Sequence, residues 1–223
     1  MLTTNCAAAD RCTLDELFNN AGAIQVDDKL FSDWALEPTN PFSVVPDFSL
    51  VEVAGLDDGG LDPGPGLLFN GNGELAVAVD PNTGDSQFLE LAFNFQVTVL
   101  GPGLSIVDNS LSILDFTVAG DGEISIDEAV FGAGLVNLGN KHVEAHGEFP
   151  GTDVLFDAIG FPPQQTLLIE KTIHLDAGFD GAADLIAFEQ RFSQVPEPAA
   201  LALFGSGLGV LAGWRRRKSG VSL

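Results

Sequence analysis

The sequence predicts a mostly β protein, a single antiparallel β-sandwich with a short N-terminal helix and a C-terminal transmembrane helix. Three observations carry that prediction. Between Phe88 and Val99 the apolar residues Leu89, Leu91, Phe93, Phe95, Val97 and Val99 alternate with Glu90, Ala92, Asn94, Gln96 and Thr98, a period of two that no helix produces. Clusters of Gly, Pro, Asn and Asp punctuate the chain at 57–60, 63–66, 70–73, 80–84, 101–103 and 120–122. A final apolar run closes on four consecutive cations. Around ten strands with no repeating βα pattern make a sandwich, and jelly-roll and immunoglobulin-like versions fit equally.

Thr13-Leu14-Asp15-Glu16 reads as a capping box opening a short helix, with Leu14, Leu17 and Phe18 on one face. Asn19 to Gly22 ends it, and alternation begins at Ile24 and runs to Trp34. Further strands are expected at 48–53, 67–69, 74–79, 88–99, 111–118, 123–130, 154–159, 167–175 and 185–192. Seventeen Phe and no Tyr assign the aromatics chiefly to the core, and leave Trp34 and Trp214 as the only indoles available to stack on a sugar. The organisation expected is an exported domain over 1–194, a sorting segment over 195–218 and a tail over 219–223.

Of the nine cations only Arg11, Lys29, Lys141, Lys171 and Arg191 precede Pro196, against 31 of the 32 carboxylates, so that part carries about 26 negative charges. No basic footprint exists for nucleic acid, and docking on anionic lipid is disfavoured. Divalent cations remain a plausible partner class. Cys6 and Cys12, the only cysteines, are a disulfide candidate, since a zinc site would need two further ligands nearby. Met1 to Cys6 has neither a charged nor an apolar leader region. A C-terminal span with a basic stop requires the preceding domain to be delivered across the membrane. Either the reading frame extends upstream of Met1 into a secretory signal or the gene has lost its leader, and the first is expected.

His142, Glu144 and His146 alternate, so on a strand they leave the same face and offer two imidazoles and a carboxylate to a divalent transition metal, with His174 as a conceivable fourth ligand. The competing reading is a solvent-facing polar strand, favoured by Lys141 and Gly147 as marks of an exposed, turn-flanked segment. Residues 121–128 echo the second half of an EF-hand loop, but Thr117 and Ala119 stand where two ligands belong, and a hairpin turn followed by a strand fits better. No Gly-x-Ser-x-Gly elbow occurs, and close carboxylate pairs are too numerous to single one out. No catalytic residue and no cofactor is assigned.

Val195-Pro196-Glu197-Pro198, the apolar run from Ala199 to Trp214, and Arg215-Arg216-Arg217-Lys218 follow one another at the C-terminus. Sixteen residues at about 1.5 Å each fall short of a hydrocarbon core of about 30 Å, so the span is marginal, and the cations after it fix the C-terminus on the cytoplasmic side. This order resembles the PEP-CTERM signal of bacterial proteins handled by exosortases. The stretches from Cys12-Thr13-Leu14 to Asp28-Lys29-Leu30-Phe31 resemble the opening segment of one group of such proteins, which implies a domain beginning near Asn5. The resemblance implies an exosortase partner, transient anchoring in the inner membrane, and delivery to the cell surface or extracellular matrix with exopolysaccharide as a candidate partner. The expected role is structural or adhesive and non-catalytic. The alternative is a carbohydrate- or divalent-metal-binding module, or a metal-assisted hydrolase, using the same address.

Overall fold

A computed structural model of the chain describes residues 11–57, 64–147 and 152–196. β1 (Arg11–Thr13) leads into α1 (Leu14–Asn19), which starts on the expected capping box. The Glu16 amide donates to the Thr13 hydroxyl at 3.3 Å and the Thr13 amide to the Glu16 carboxylate at 2.9 Å. Leu14 and Leu17 are buried, and Phe18 packs edge-on against Phe48 at 5.5 Å.

The expected first alternation splits in two. β2 (Ile24–Val26) and β3 (Lys29–Leu36) form a hairpin because Asp27 takes a left-handed φ of 50°, and Val26 then pairs with Lys29 across a two-residue turn. β4 (Glu52–Leu56) starts later than the predicted 48–53, because Leu50 donates its amide back to the Asp47 carbonyl in a turn. β5 (Gly66–Asn70), β6 (Ala76–Ala78), β7 (Phe88–Val99), β8 (Leu104–Ala119) and β9 (Glu123–Phe131) follow. Gly66 begins β5 hard against a neighbour: a Cβ there would lie 2.1 Å from the Gln190 carbonyl oxygen. A 3₁₀ turn at Ala133–Leu135 leads to β10 (Asn137–His146), then β11 (Phe156–Gln164), β12 (Thr166–Asp176), β13 (Ala182–Arg191) and β14 (Gln194–Pro196). The predicted strand at 154–159 begins at Phe156, with Val154 making only a single bridge to Glu144.

Two antiparallel sheets result among the described residues. One runs β1-β4-β5-β13-β8-β11, with β6 added to β13 and β14 to β8; the other runs β10-β9-β12-β7-β3-β2. The pairings β9 with β10, β8 with β11, β7 with β12 and β5 with β13 are those of one long hairpin folded back at its β9–β10 end and wound so that successive pairs fall in alternate sheets. That winding is a jelly roll, which settles the choice the sequence left open.

Leu89, Leu91, Phe93, Phe95, Val97 and Val99 of β7 all face the core, as the alternation predicts. Trp34 stacks on Phe95 at 4.4 Å within one sheet, and Phe69 on Phe188, its cross-strand neighbour in the other, at 4.4 Å. Not every Phe is core filler, since Phe42 and Phe179 are 85% and 90% exposed. Cys12 is buried in β1, and Cys6 lies outside the described residues, as does the disulfide assignment. Among the described residues no helix is long and apolar enough to cross a membrane. The segment from Ala199 to Trp214, the basic block from Arg215 to Lys218 and Trp214 itself are outside them.

Candidate functional site

The sorting segment grows directly out of a central strand. β13 pairs with β8 up to Arg191, breaks at Phe192 and Ser193, and resumes on the same partner as β14, with Gln194 opposite Ile106, Val195 opposite Ser105 and Pro196 opposite Leu104. The break is held by Asp108, whose carboxylate accepts the Ser193 amide at 3.0 Å, while Val107 donates to the Ser193 carbonyl at 3.1 Å. The buried Lys29 ammonium donates to Gln194 Oε1 at 2.5 Å and meets Asp28 Oδ1 at 3.4 Å. Burial pushes the Lys29 ammonium below its usual range, and the Asp28 carboxylate opposes that shift. The fold thus continues two residues past the expected boundary at 194, through Pro196; Glu197 and Pro198 are outside the described residues.

On the outer face of the second sheet, β10 presents His142, Glu144 and His146 together, as period two requires. Glu144 Oε2 lies 3.2 Å from His142 Nε2 and 3.4 Å from His146 Nε2, and Asp127 Oδ1 lies 2.8 Å from His142 Nδ1. Hydrogen bonds to Asp127 and then Glu144 raise the His142 imidazole above its usual value, which marks these groups as partners of one another. His174 pairs with Ser125, which pairs in turn with Glu144, so it stands two strands away, about 9–10 Å by strand spacing. Among the described residues no group of three or more His, Cys, Asp or Glu side chains is arranged to hold a metal ion. The edge of β10 is closed rather than free: the His142 and His146 amides donate to Asp157 and Asp153, each at 3.0 Å.

The EF-hand echo is a hairpin turn followed by β9. Asp121 accepts the Phe179 amide at 2.8 Å and the Asp180 amide at 3.0 Å, tying the β8–β9 turn to the β12–β13 loop, and those bonds lower its carboxyl.

Lys141, read from sequence as the mark of an exposed strand, is buried. Lys141, Glu128 and Lys171 sit directly opposite one another on β10, β9 and β12, with their side chains turned into the sandwich and fully enclosed. Lys141 Nζ donates to Glu128 Oε1 at 2.5 Å and Lys171 Nζ to Glu128 Oε2. From the facing sheet Gln190 Nε2 donates to Glu128 Oε1 at 2.8 Å, while Gln190 Oε1 is buried without a hydrogen-bond partner. Lys171 Nζ also lies 5.5 Å above the Phe188 ring. Desolvation lowers the Lys141 ammonium to about 8 against the opposing pull of Glu128, and lowers Lys171 for the same reason. Glu128 is held below the carboxylate range by the two lysines, which outweigh the opposing effect of burial.

Sequence reasoning missed this cluster, though its signal was present. In Ile124-x-Ile126-x-Glu128-x-Val130 and Ile169-x-Lys171-x-Ile173 the charged residue falls on the apolar parity. All three lysines of residues 11–196 are therefore inside.

A cavity of about 360 Å³ opens at one end of the second sheet, lined by Gln96, Gln164, Gln165, Thr166, Leu135 and Leu168 around the 3₁₀ turn. Three carboxamides and a hydroxyl beside two leucines give it a polar but uncharged lining, in which Gln164 Nε2 donates to the Pro162 carbonyl and Gln165 Nε2 to the Leu104 carbonyl.

The last strand of the jelly roll runs directly into the C-terminal segment that carries the Pro-Glu-Pro, apolar and basic elements. Residues 194–218 match the PEP-CTERM protein-sorting motif, so the chain carries the signal that exosortase recognises, for secretion with C-terminal membrane anchoring before processing. No curated protein matches the chain.

Among solved structures, the Glycosylation Associate Protein (Gap123) complex from Streptococcus agalactiae is similar over 77% of this chain and 25% of that one, at 12% identity and a TM-score of 0.30. TmCBM61 in complex with β-1,4-galactotriose is similar over 74% and 88%, at 12% identity and a TM-score of 0.28. The CBM22-1 xylan-binding domain of Paenibacillus barcinonensis Xyn10C is similar over 82% and 92%, at 9% identity and a TM-score of 0.24. The chain spans about a quarter of the first of these. Superpositions this loose carry no argument about ligand or activity.

Proposed function

We propose that the domain is a non-catalytic structural or adhesive element, delivered by exosortase processing to the cell surface or extracellular polymer. The observation that supports this most is the continuity of β13, β14 and the motif: the domain is joined to its address without a linker. The acidic surface suits a self-repelling exported protein. In a host with an exosortase, and with a secretory leader added, the chain is expected to lose a C-terminal piece. Replacing Pro196, Glu197 and Pro198 by Ala should leave it uncleaved and membrane-bound. Normal release of that variant would remove the basis of this reading.

The amide-lined cavity favours a second reading, a glycan-binding module on the same address. A glycan array probed with the full chain tests it. Binding should be saturable and should fall at least tenfold in the Gln96→Ala, Gln164→Ala double variant; equal binding by the two proteins would place any glycan site elsewhere.

A further inference from the structure

A primary amine and a carboxamide condense to a secondary amide, releasing ammonia, when the amine is neutral, the two groups are held together, and a carboxyl group is placed to move the proton. The interior of this sandwich assembles those three groups. Lys141 Nζ and Gln190 Nε2 share one oxygen, Glu128 Oε1, at 2.5 Å and 2.8 Å, so the two nitrogens are no farther apart than those lengths laid end to end.

Charge balance points to the same pair. Two lysines face one carboxylate, with the uncharged Gln190 between the sheets, and an ammonium buried without its own counter-charge is strongly disfavoured. Lys171 has a second source of cation stabilisation in the Phe188 ring, which leaves Lys141 as the lysine to shed its proton. Asp157 is a further acidic group acting on Lys141, and its carboxylate is already committed to the His142 amide. Gln190 satisfies one oxygen of Glu128 through Nε2, but its own side-chain oxygen Oε1 is buried without a hydrogen-bond partner.

We propose that Lys141 and Gln190 become joined by an intramolecular isopeptide bond that links the two sheets, with Glu128 as the proton-transfer group. Neutral Lys141 Nζ attacks Gln190 Cδ. The Nζ–Cδ bond forms, the Cδ–Nε2 bond breaks, and Glu128 Oε1 takes a proton from Nζ and hands it to Nε2, which leaves as ammonia. Glu128 ends as it began, and the reaction needs no oxidant, reductant or second substrate. The product holds one carboxylate and one ammonium, Glu128 and Lys171, a matched buried pair. It also ties β10, an edge strand, covalently to β13, the strand that carries the sorting segment. The inference stands on this cluster alone and does not depend on whether the domain is adhesive.

The test is peptide mass spectrometry on the full chain, purified folded in neutral detergent, then denatured and digested with trypsin. If the bond forms, cleavage after Lys141 is blocked. The peptide of residues 172–191 is then found joined to the peptide containing Lys141, lighter in total by one ammonia. The joined species should be absent from Lys141→Arg and should accumulate at least tenfold more slowly in Glu128→Gln, measured from the onset of refolding. A folded wild-type chain that yields residues 172–191 as a free, unmodified peptide overturns the proposal. So does a cross-link lighter by one water, which would join a lysine to Glu128 itself and leave no shuttle.

Discussion

Asp184 shows at the residue scale what an acidic composition costs. It is half-buried on β13, its Oδ1 has no hydrogen-bond partner, and desolvation together with the nearby Asp115 carboxylate raises its carboxyl above the ordinary value. A carboxyl whose folded value is raised binds its proton more tightly in the native state. The native state therefore loses stability as pH rises from the unfolded value of 3.8 through the folded one, and that loss persists at neutral pH. Asp184→Asn is expected to stabilise the protein at pH 7 by up to about 1 kcal/mol, allowing for solvent screening, and to lose that advantage below pH 3.8, where both side chains are neutral. Urea melts of the two chains across that range decide it, and an advantage that persisted in acid would mean the carboxamide gains a new hydrogen bond. The same scale shows what a sequence hides. The common face of His142, Glu144 and His146 was readable because parity alone determines it. The burial of Lys29, Lys141 and Lys171 was harder to read, because lysine is almost never enclosed without a partner, and the partners lie elsewhere in the chain: Glu128 for Lys141 and Lys171, Gln194 for Lys29.

At the scale of the element, β7 is the strand whose sequence most fully determined its structure. Every inward side chain is buried, and it is flanked by β12 along its length and by β3 from Phe93 to Val99. Phe93 lies 5.9 to 6.3 Å, ring to ring, from Phe18, Trp34, Phe69 and Phe95, so Phe93→Ala should cost about 3–5 kcal/mol. Asn94 on the outer face donates to the Glu37 carboxylate, and Asn94→Ala should cost only about 1 kcal/mol. Equal losses in urea midpoint would contradict the core and surface assignment of this strand. Shorter strands were less legible. β1 and β14 have three residues each and no period to detect, and they exist because β4 and β8 offer them backbone partners. The hairpin at Asp27 was hidden for a different reason, since a non-glycine residue at positive φ leaves no mark in an alternating run.

For the whole molecule, the antiparallel sandwich was legible from period and turns, while the jelly-roll winding was not, because pairings such as β5 with β13 join residues more than a hundred positions apart. Net charge was legible too, but its distribution was not. With the lysines inside, the cations left near the surface among the described residues are Arg11, paired with Glu52 at 3.2 Å, and Arg191, paired with Glu189 at 3.1 Å. The folded surface is therefore more one-signed than composition implies. Unfolding spreads the carboxylates apart and returns three ammoniums to solution among them, so long-range electrostatics oppose the native state twice over. Salt should relieve both effects, since the screening length falls from about 30 Å at 0.01 M to about 8 Å at 0.15 M. The urea midpoint of the full chain in neutral detergent is expected to rise between those two concentrations of sodium chloride, with an unchanged denaturant slope. Potassium chloride should act identically, because the effect is screening and not a bound ion. A midpoint that fell with salt would mean that the few surface ion pairs outweigh the mutual repulsion of the carboxylates, and the picture of a self-repelling acidic shell around buried lysines would have to be given up.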